Sequence, residues 1–103
     1  MAHVLAKLTG AKFENVKRKL EEDASEHAKE GMYLEHLWRN ADNPNEVLFL
    51  FRVNDLNHCK QRINKTHAEV RQKDPNATLP QMTFLDGARG SSPEPGRFAT
   101  DRG

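Results

Sequence analysis

From Val47 to Val53 the chain carries an apolar residue at nearly every position. Successive strand side chains point to opposite sides of a sheet, so a half-exposed strand alternates apolar with polar. In NEVLFLFRVND, residues 45–55, Val47, Phe49, Phe51 and Val53 fill one face. Leu48 and Leu50 occupy the other, and Arg52 is the only interruption. The pattern predicts a strand covered on both sides. HVLAKLT, residues 3–9, sets Val4, Ala6 and Leu8 against His3, Leu5, Lys7 and Thr9, a first strand. Phe13, Val16, Leu20, Ala24 and His27 or Ala28 then recur at spacings of three and four, one helical stripe in a highly charged segment. Gly31 reads as its C-terminal stop.

MYLEHLWRN, residues 32–40, reads as a second strand. ADNPNE is turn chemistry, with Pro44 forcing Asn43 extended, so the second and third strands form a hairpin. Leu56, Cys59, Ile63, Thr66 or His67, and Val70 step as a second helix, capped by Asn54 or Asp55 and ended by Pro75. PQMTFLD is a short fourth strand. Residues 88–103 are rich in Gly, Ser and Pro with one aromatic, Phe98, and read as an extended tail behind a domain of residues 1–87. If ordered, the tail would be anchored by Phe98.

The order β-α-β-β-α-β predicts a ferredoxin-like α+β fold with a four-stranded antiparallel sheet. Right-handed crossovers put both helices on one face. The other face, with Leu48 and Leu50, finds no cover within the chain, and soluble monomers avoid such a patch. A second copy laid face to face is the economical cover, which predicts a homodimer, the dimeric α+β barrel.

Composition narrows the classes. The 103 residues suffice for one domain with a modest core. A net charge of +1 predicts no strong pull toward nucleic acid or an anionic membrane, and no apolar run approaches a spanning length. The basic residues Lys60, Arg62, Lys65, Arg71 and Lys73 read as a solvated helix face. A lone cysteine, Cys59, excludes an internal disulfide, and the N-terminus lacks the apolar core of a signal peptide. Together these predict a cytoplasmic protein.

His36 and Trp38 lie two apart and share a strand face, with Arg52 on the neighbouring strand. Facing the space between two sheets, they would offer an imidazole for proton transfer, a stacking wall and a cation. That suits a planar anionic or phenolic ligand. Tyr33 and His58 complete the candidate set for the ligand pocket. The plainer alternative is that Trp38 is core and His36 a satisfied histidine. Arg52 needs a partner, either an anionic ligand or a carboxylate such as Glu35. The five histidines lack metal-ligand spacings, Cys59 reads as a buried thiol, and no phosphate loop is present, so neither metal nor cofactor is expected.

The segment GMYLEHLWRNADNPNEVLFLFRVNDLNHCKQ resembles the hairpin-plus-helix segment of the antibiotic-biosynthesis-monooxygenase-like group of dimeric α+β barrels. In that group a Gly precedes the second strand, an Arg-x-x-Asp-x-Pro turn joins the hairpin and an acidic residue opens the second helix. Gly31, Arg39, Asp42, Pro44 and Asp55 stand at these places. The resemblance covers residues 3–86 in topology. Its members include cofactor-free oxygenases, haem-degrading enzymes and small proteins without a known activity. The haem-degrading branch carries an Asn on its first strand, a Trp late in its third and a His on its second helix. This chain has Val53 near the Trp position and no Asn on the first strand, so that activity does not carry over. The sequence favours a homodimeric barrel protein binding a small hydrophobic or aromatic anionic ligand between the sheets. The alternative is a cofactor-independent monooxygenase-like enzyme acting on an aromatic substrate. Whether the chain is an enzyme at all stays open.

Overall fold

The computed structural model describes residues 2–87. The elements are β1 (Ala2–Thr9), α1 (Phe13–Glu22), α2 (Ala24–Lys29), β2 (Met32–Asn40), β3 (Asn43–Val53), α3 (Leu56–Lys73) and β4 (Gln81–Leu85). One sheet of order β2-β3-β1-β4 has antiparallel pairing throughout, the ferredoxin-like α+β fold expected from the element order. The tail of residues 88–103, with Phe98, lies outside the described residues. Among those described, no helix is long and apolar enough to cross a membrane.

Alternation along β3 builds the core. Val47, Phe49, Phe51 and Val53 are all buried, as the apolar spacing predicts. They meet Val4 and Ala6 of β1, Met32 of β2, Val16 and Leu20 of α1, and Cys59 and Ile63 of α3. Removing such apolar side chains from water is the main term that holds a small domain together. Asp55 caps α3, its Oδ1 accepting a hydrogen bond from the His58 backbone N–H at 3.1 Å. Gly31 adopts φ +74°, the left-handed conformation that ends the first crossover.

Three local features depart from the expected pattern. The first crossover is two helices rather than one, because Asp23 sits at φ −92° and ψ 2° and interrupts the stripe. Aspartate competes poorly for a helix interior, and here its carboxylate pairs with Lys19 Nζ at 3.3 Å. Beyond this break Ala24 and Ala28 are exposed, and His27 alone continues the stripe toward the core. The hairpin turn is tighter than the ADNPNE segment implies. Asn40 pairs with Asn43, only Ala41 and Asp42 turn, and Asn40 Oδ1 accepts from the Asp42 N–H at 2.8 Å. Pro44, with no N–H to donate, falls in the irregular start of β3. Finally, β2 carries a bulge between Leu34 and His36, which places both Glu35 and His36 opposite Leu50.

Candidate functional site

The sheet has two faces, and each gathers part of the candidate chemistry. On the face away from the helices the register sets three rows across the four strands. Tyr33 of β2 stands against Arg52 of β3, His3 of β1 and Leu85 of β4; His36 stands against Leu50, Leu5 and Thr83; Trp38 against Leu48, Lys7 and Gln81. The bulge brings Tyr33 to this side. Plain alternation would put it opposite His36, since the two are an odd number of residues apart. His36, Trp38, Arg52 and Tyr33 therefore share one surface, while His58 does not. It lies in the first turn of α3, in the helical layer, with Nε2 2.8 Å from Glu30 Oε1.

The charged groups around Arg52 are already matched to one another. Arg52 lies over the Tyr33 ring at 4.6 Å and its Nε is 3.4 Å from Glu35 Oε2. The other oxygen of Glu35 is 3.1 Å from His3 Nε2. His36 and Trp38 stack with centroids 5.0 Å apart and planes 15° from parallel. Trp38 is 44% exposed, Leu85 40% and Tyr33 36%, and half-buried Leu5, Leu48 and Leu50 lie between them. The result is an apolar band with one ion-paired corner, bordered by Lys7, Gln81 and Thr83 on β1 and β4.

The other face carries a cleft that the sequence pattern alone did not reveal. It opens between α1–α2 on one side and α3 with β4 on the other, with a volume of about 230 Å³. Phe49, Phe51, Met32 and Met82 of the sheet floor it, with Leu20 and Ile63 on its walls. Asp23, His27, Arg62, Thr66 and His67 bring polar groups to the same space. His27 meets Phe51 edge-on, ring centroids 5.1 Å apart. Burial holds His27 below the ordinary imidazole value, with the Asp23 charge working against that and Arg62 and Lys19 reinforcing it. His67 is lowered too, first by burial and then by Arg71. Both imidazoles are thus biased to the neutral form, able to accept a proton or a hydrogen bond. In the sequence, His27 and His67 stood as members of apolar stripes. A titratable residue on a core-facing stripe was the available signal, and only the packing of α2 and α3 over one floor joins the two.

Cys59 has no exposed surface, and burial pushes its thiol up, so it is a packed core residue. Among the described residues no three His, Cys, Asp or Glu side chains gather as metal ligands.

No family model matches the chain, and no curated protein is similar to it in sequence. Solved structures are similar in fold. A candidate antibiotic biosynthesis monooxygenase from Deinococcus radiodurans superposes with a TM-score of 0.58 at 18% identity, over 91% of this chain and 99% of that one. An uncharacterized NIPSNAP domain protein from Burkholderia xenovorans gives 0.54 at 16%, over 91% and 100%. A protein from Agrobacterium tumefaciens gives 0.53 at 15%, over 88% and 97%. The chain shares the α+β fold of these three structures, the fold that the resemblance of its hairpin segment implied. At such identities the likeness speaks to fold and leaves the chemistry to the residues.

Proposed function

We propose that this chain is a small-molecule-binding α+β barrel protein that works as a homodimer. Its ligand is a mostly apolar, flat compound with one anionic or phenolic group, held in the cleft between the helices and the sheet. The observation that carries this reading is the convergence of Arg62, Thr66, His67 and His27 on an apolar floor of Phe49 and Phe51. An apolar pocket with a few converging polar groups is the usual form of a ligand site. The volume of about 230 Å³ suits a compound of one or two rings. Phe49 and Phe51 give the cleft an apolar floor, Arg62 would supply the countercharge, and neutral His67 a hydrogen-bond acceptor.

The space between two sheets is the less favoured location. Arg52 would serve an anionic ligand there, but Glu35 at 3.4 Å and the Tyr33 ring both engage it, whereas Arg62 has Glu30 at 3.6 Å and no ring over it. That engagement supports a structural role for the open face, with a second copy covering Trp38, Tyr33, Leu85 and the leucines between them.

Titration with anilinonaphthalene sulfonate, an aromatic anion that fluoresces in apolar sites, tests the reading. Saturable binding is expected, weakened about tenfold by Arg62→Ala, the loss of one charge-assisted contact. Arg52→Leu is expected to bind as the parent does. If Arg52→Leu loses binding and Arg62→Ala keeps it, the ligand belongs between the sheets and the cleft assignment is wrong. The alternative, a cofactor-independent oxygenase acting on an aromatic substrate, draws on one observation. Two imidazoles biased to the neutral form face one apolar cleft, and either can take a phenolic proton. Oxygen uptake with hydroxylated aromatic compounds, lost on His27→Phe or His67→Gln, separates that enzyme from a binding protein.

A further inference from the structure

Helix α2 is attached to the rest of the molecule in an unusual way. Its residues Ala24, Ser25, Glu26, Ala28 and Lys29 are all exposed, and no α2 residue is buried. His27 is the one α2 side chain that is not exposed. A helix normally stays on a sheet by burying an apolar stripe. This one is seated on Phe51 by a single imidazole edge. At its start the chain pivots through Asp23, whose side chain makes no capping bond to α2. At its end Glu30 is tied to α3, through His58 Nε2 at 2.8 Å and Arg62 Nε at 3.6 Å.

His27 also stands between two concavities. The cleft of about 230 Å³ lies on its α3 side, and a second, of about 270 Å³, lies on its β2 side against Tyr33 and Leu34. Leu20, His27, Met32 and Phe51 line both. Lifting His27 off Phe51 would join them and widen the mouth of the cleft.

We propose that α2 is a lid over this cleft, tied at Asp23 and Glu30 and latched in the middle by neutral His27 on Phe51, and that protonation of His27 releases it. The proposal rests on the cleft being the ligand site and names how entry to it is controlled. The charges around His27 make its cationic form hard to keep in place. Lys19 and Glu21 lie near it on α1 and Arg62 and His67 on α3, while the ring of Tyr33 on β2 lies on the opposite face of the sheet under Arg52. Both nearby carboxylates are already paired, Asp23 with Lys19 Nζ at 3.3 Å and Glu21 with Lys17 Nζ at 3.0 Å. An imidazolium pressed against Phe51 therefore loses hydration without gaining a free countercharge, whereas an imidazolium swung into water loses nothing. The Glu30 tie outlasts the latch on acidification, because its carboxylate is held below its ordinary range by the His58 hydrogen bond.

Amide hydrogen exchange over residues 24–30 of the full chain tests the lid without any ligand. Between about pH 7.5 and about pH 5.0, α2 is expected to lose roughly tenfold in protection after correction for intrinsic rates, while α1 and β3 keep theirs. In His27→Phe, which keeps an apolar seat that cannot titrate, the loss should vanish. Should that variant fail to fold, His27→Gln serves in its place with the same expectation. His67→Gln should respond as the parent does. The lid is overturned by an unchanged α2 in the parent, by the same loss in either His27 variant, by its disappearance in His67→Gln, or by parallel loss in α1 and β3. Stopped-flow binding of anilinonaphthalene sulfonate adds a second arm, expected to run several-fold faster at the lower pH. If the dye binds at neither pH while the exchange behaves as described, the lid stands and the ligand reading falls.

Discussion

Glu35 decides what Arg52 is free to do. Its two oxygens reach His3 and Arg52 from the bulged segment of β2, at 3.1 and 3.4 Å. All three side chains are about one-third exposed, so solvent screens the pairs. Glu35→Ala is expected to cost the protomer less than ~1 kcal/mol in urea unfolding, and a larger loss would mean the pair is buried in the assembly. Phe51 is the opposite case, 3% exposed and in edge contact with both His27 and Phe49. Phe51→Ala should cost about 3–5 kcal/mol, read as a drop in the urea midpoint. Acid stability follows from His27 and His67. Their folded pKa values lie below the ordinary 6.5 because burial disfavours the charged form. The unfolded chain then takes up the protons first, so their contribution is whole above that value and declines as pH falls through it toward the folded pKa. The urea midpoint should therefore fall between about pH 7.5 and about pH 5.5, and His27→Phe with His67→Gln should flatten the slope.

At the scale of elements, the joints carry the specific information. Gly31 holds φ +74°, and a Cβ built there would come within 3.3 Å of the Asn54 side chain. Its carbonyl accepts the Asn54 N–H at 3.0 Å, tying the end of the first crossover to the end of β3. Gly31→Ala adds left-handed strain of about 1–2 kcal/mol to that crowding, and calorimetry should show a lowered Tm. Asp55→Ala removes the α3 cap and should cost about 1 kcal/mol by the same measurement, whereas Asp55→Asn, which keeps an acceptor, should cost less. The hairpin and both caps were legible as Gly, Asn, Asp and Pro at their places. The bulge at Glu35 was not, since no residue type in Leu34-Glu35-His36 demands an extra residue. It arises where β2 must keep Met32 and Leu37 on the core side of β3.

For the whole molecule, the uncovered face sets the expectation. Trp38, Tyr33, Leu85 and the leucines between them form an area that a second copy would remove from water. Sedimentation of the parent at micromolar concentration should show a dimer. Leu50→Glu, at the centre of the face, should sediment as a folded monomer, because a buried unpaired carboxylate disfavours association while Leu50 lies outside the core. A parent that sediments as a monomer would remove the homodimer from the reading.

The alternation in β3, the stripes of α1 and α3 and the turn residues between them determined the element order, and with it the sheet, its topology and the side that packs under the helices. Side-chain periodicity is a local property, and it carries that much. The break at Asp23, the bulge at Glu35 and the meeting of His27 with His67 came from the tertiary structure. The bulge answers to β3 across the hairpin, and the two imidazoles meet because α2 and α3 pack over one floor of Phe49 and Phe51. Arg52 shows the division in a single side chain. Parity placed it on the open face and named Glu35 as a partner for its charge, but only the folded sheet brought His3, Tyr33 and Glu35 around it. A charge is assigned a side by its own strand and a neighbour by the strands beside it.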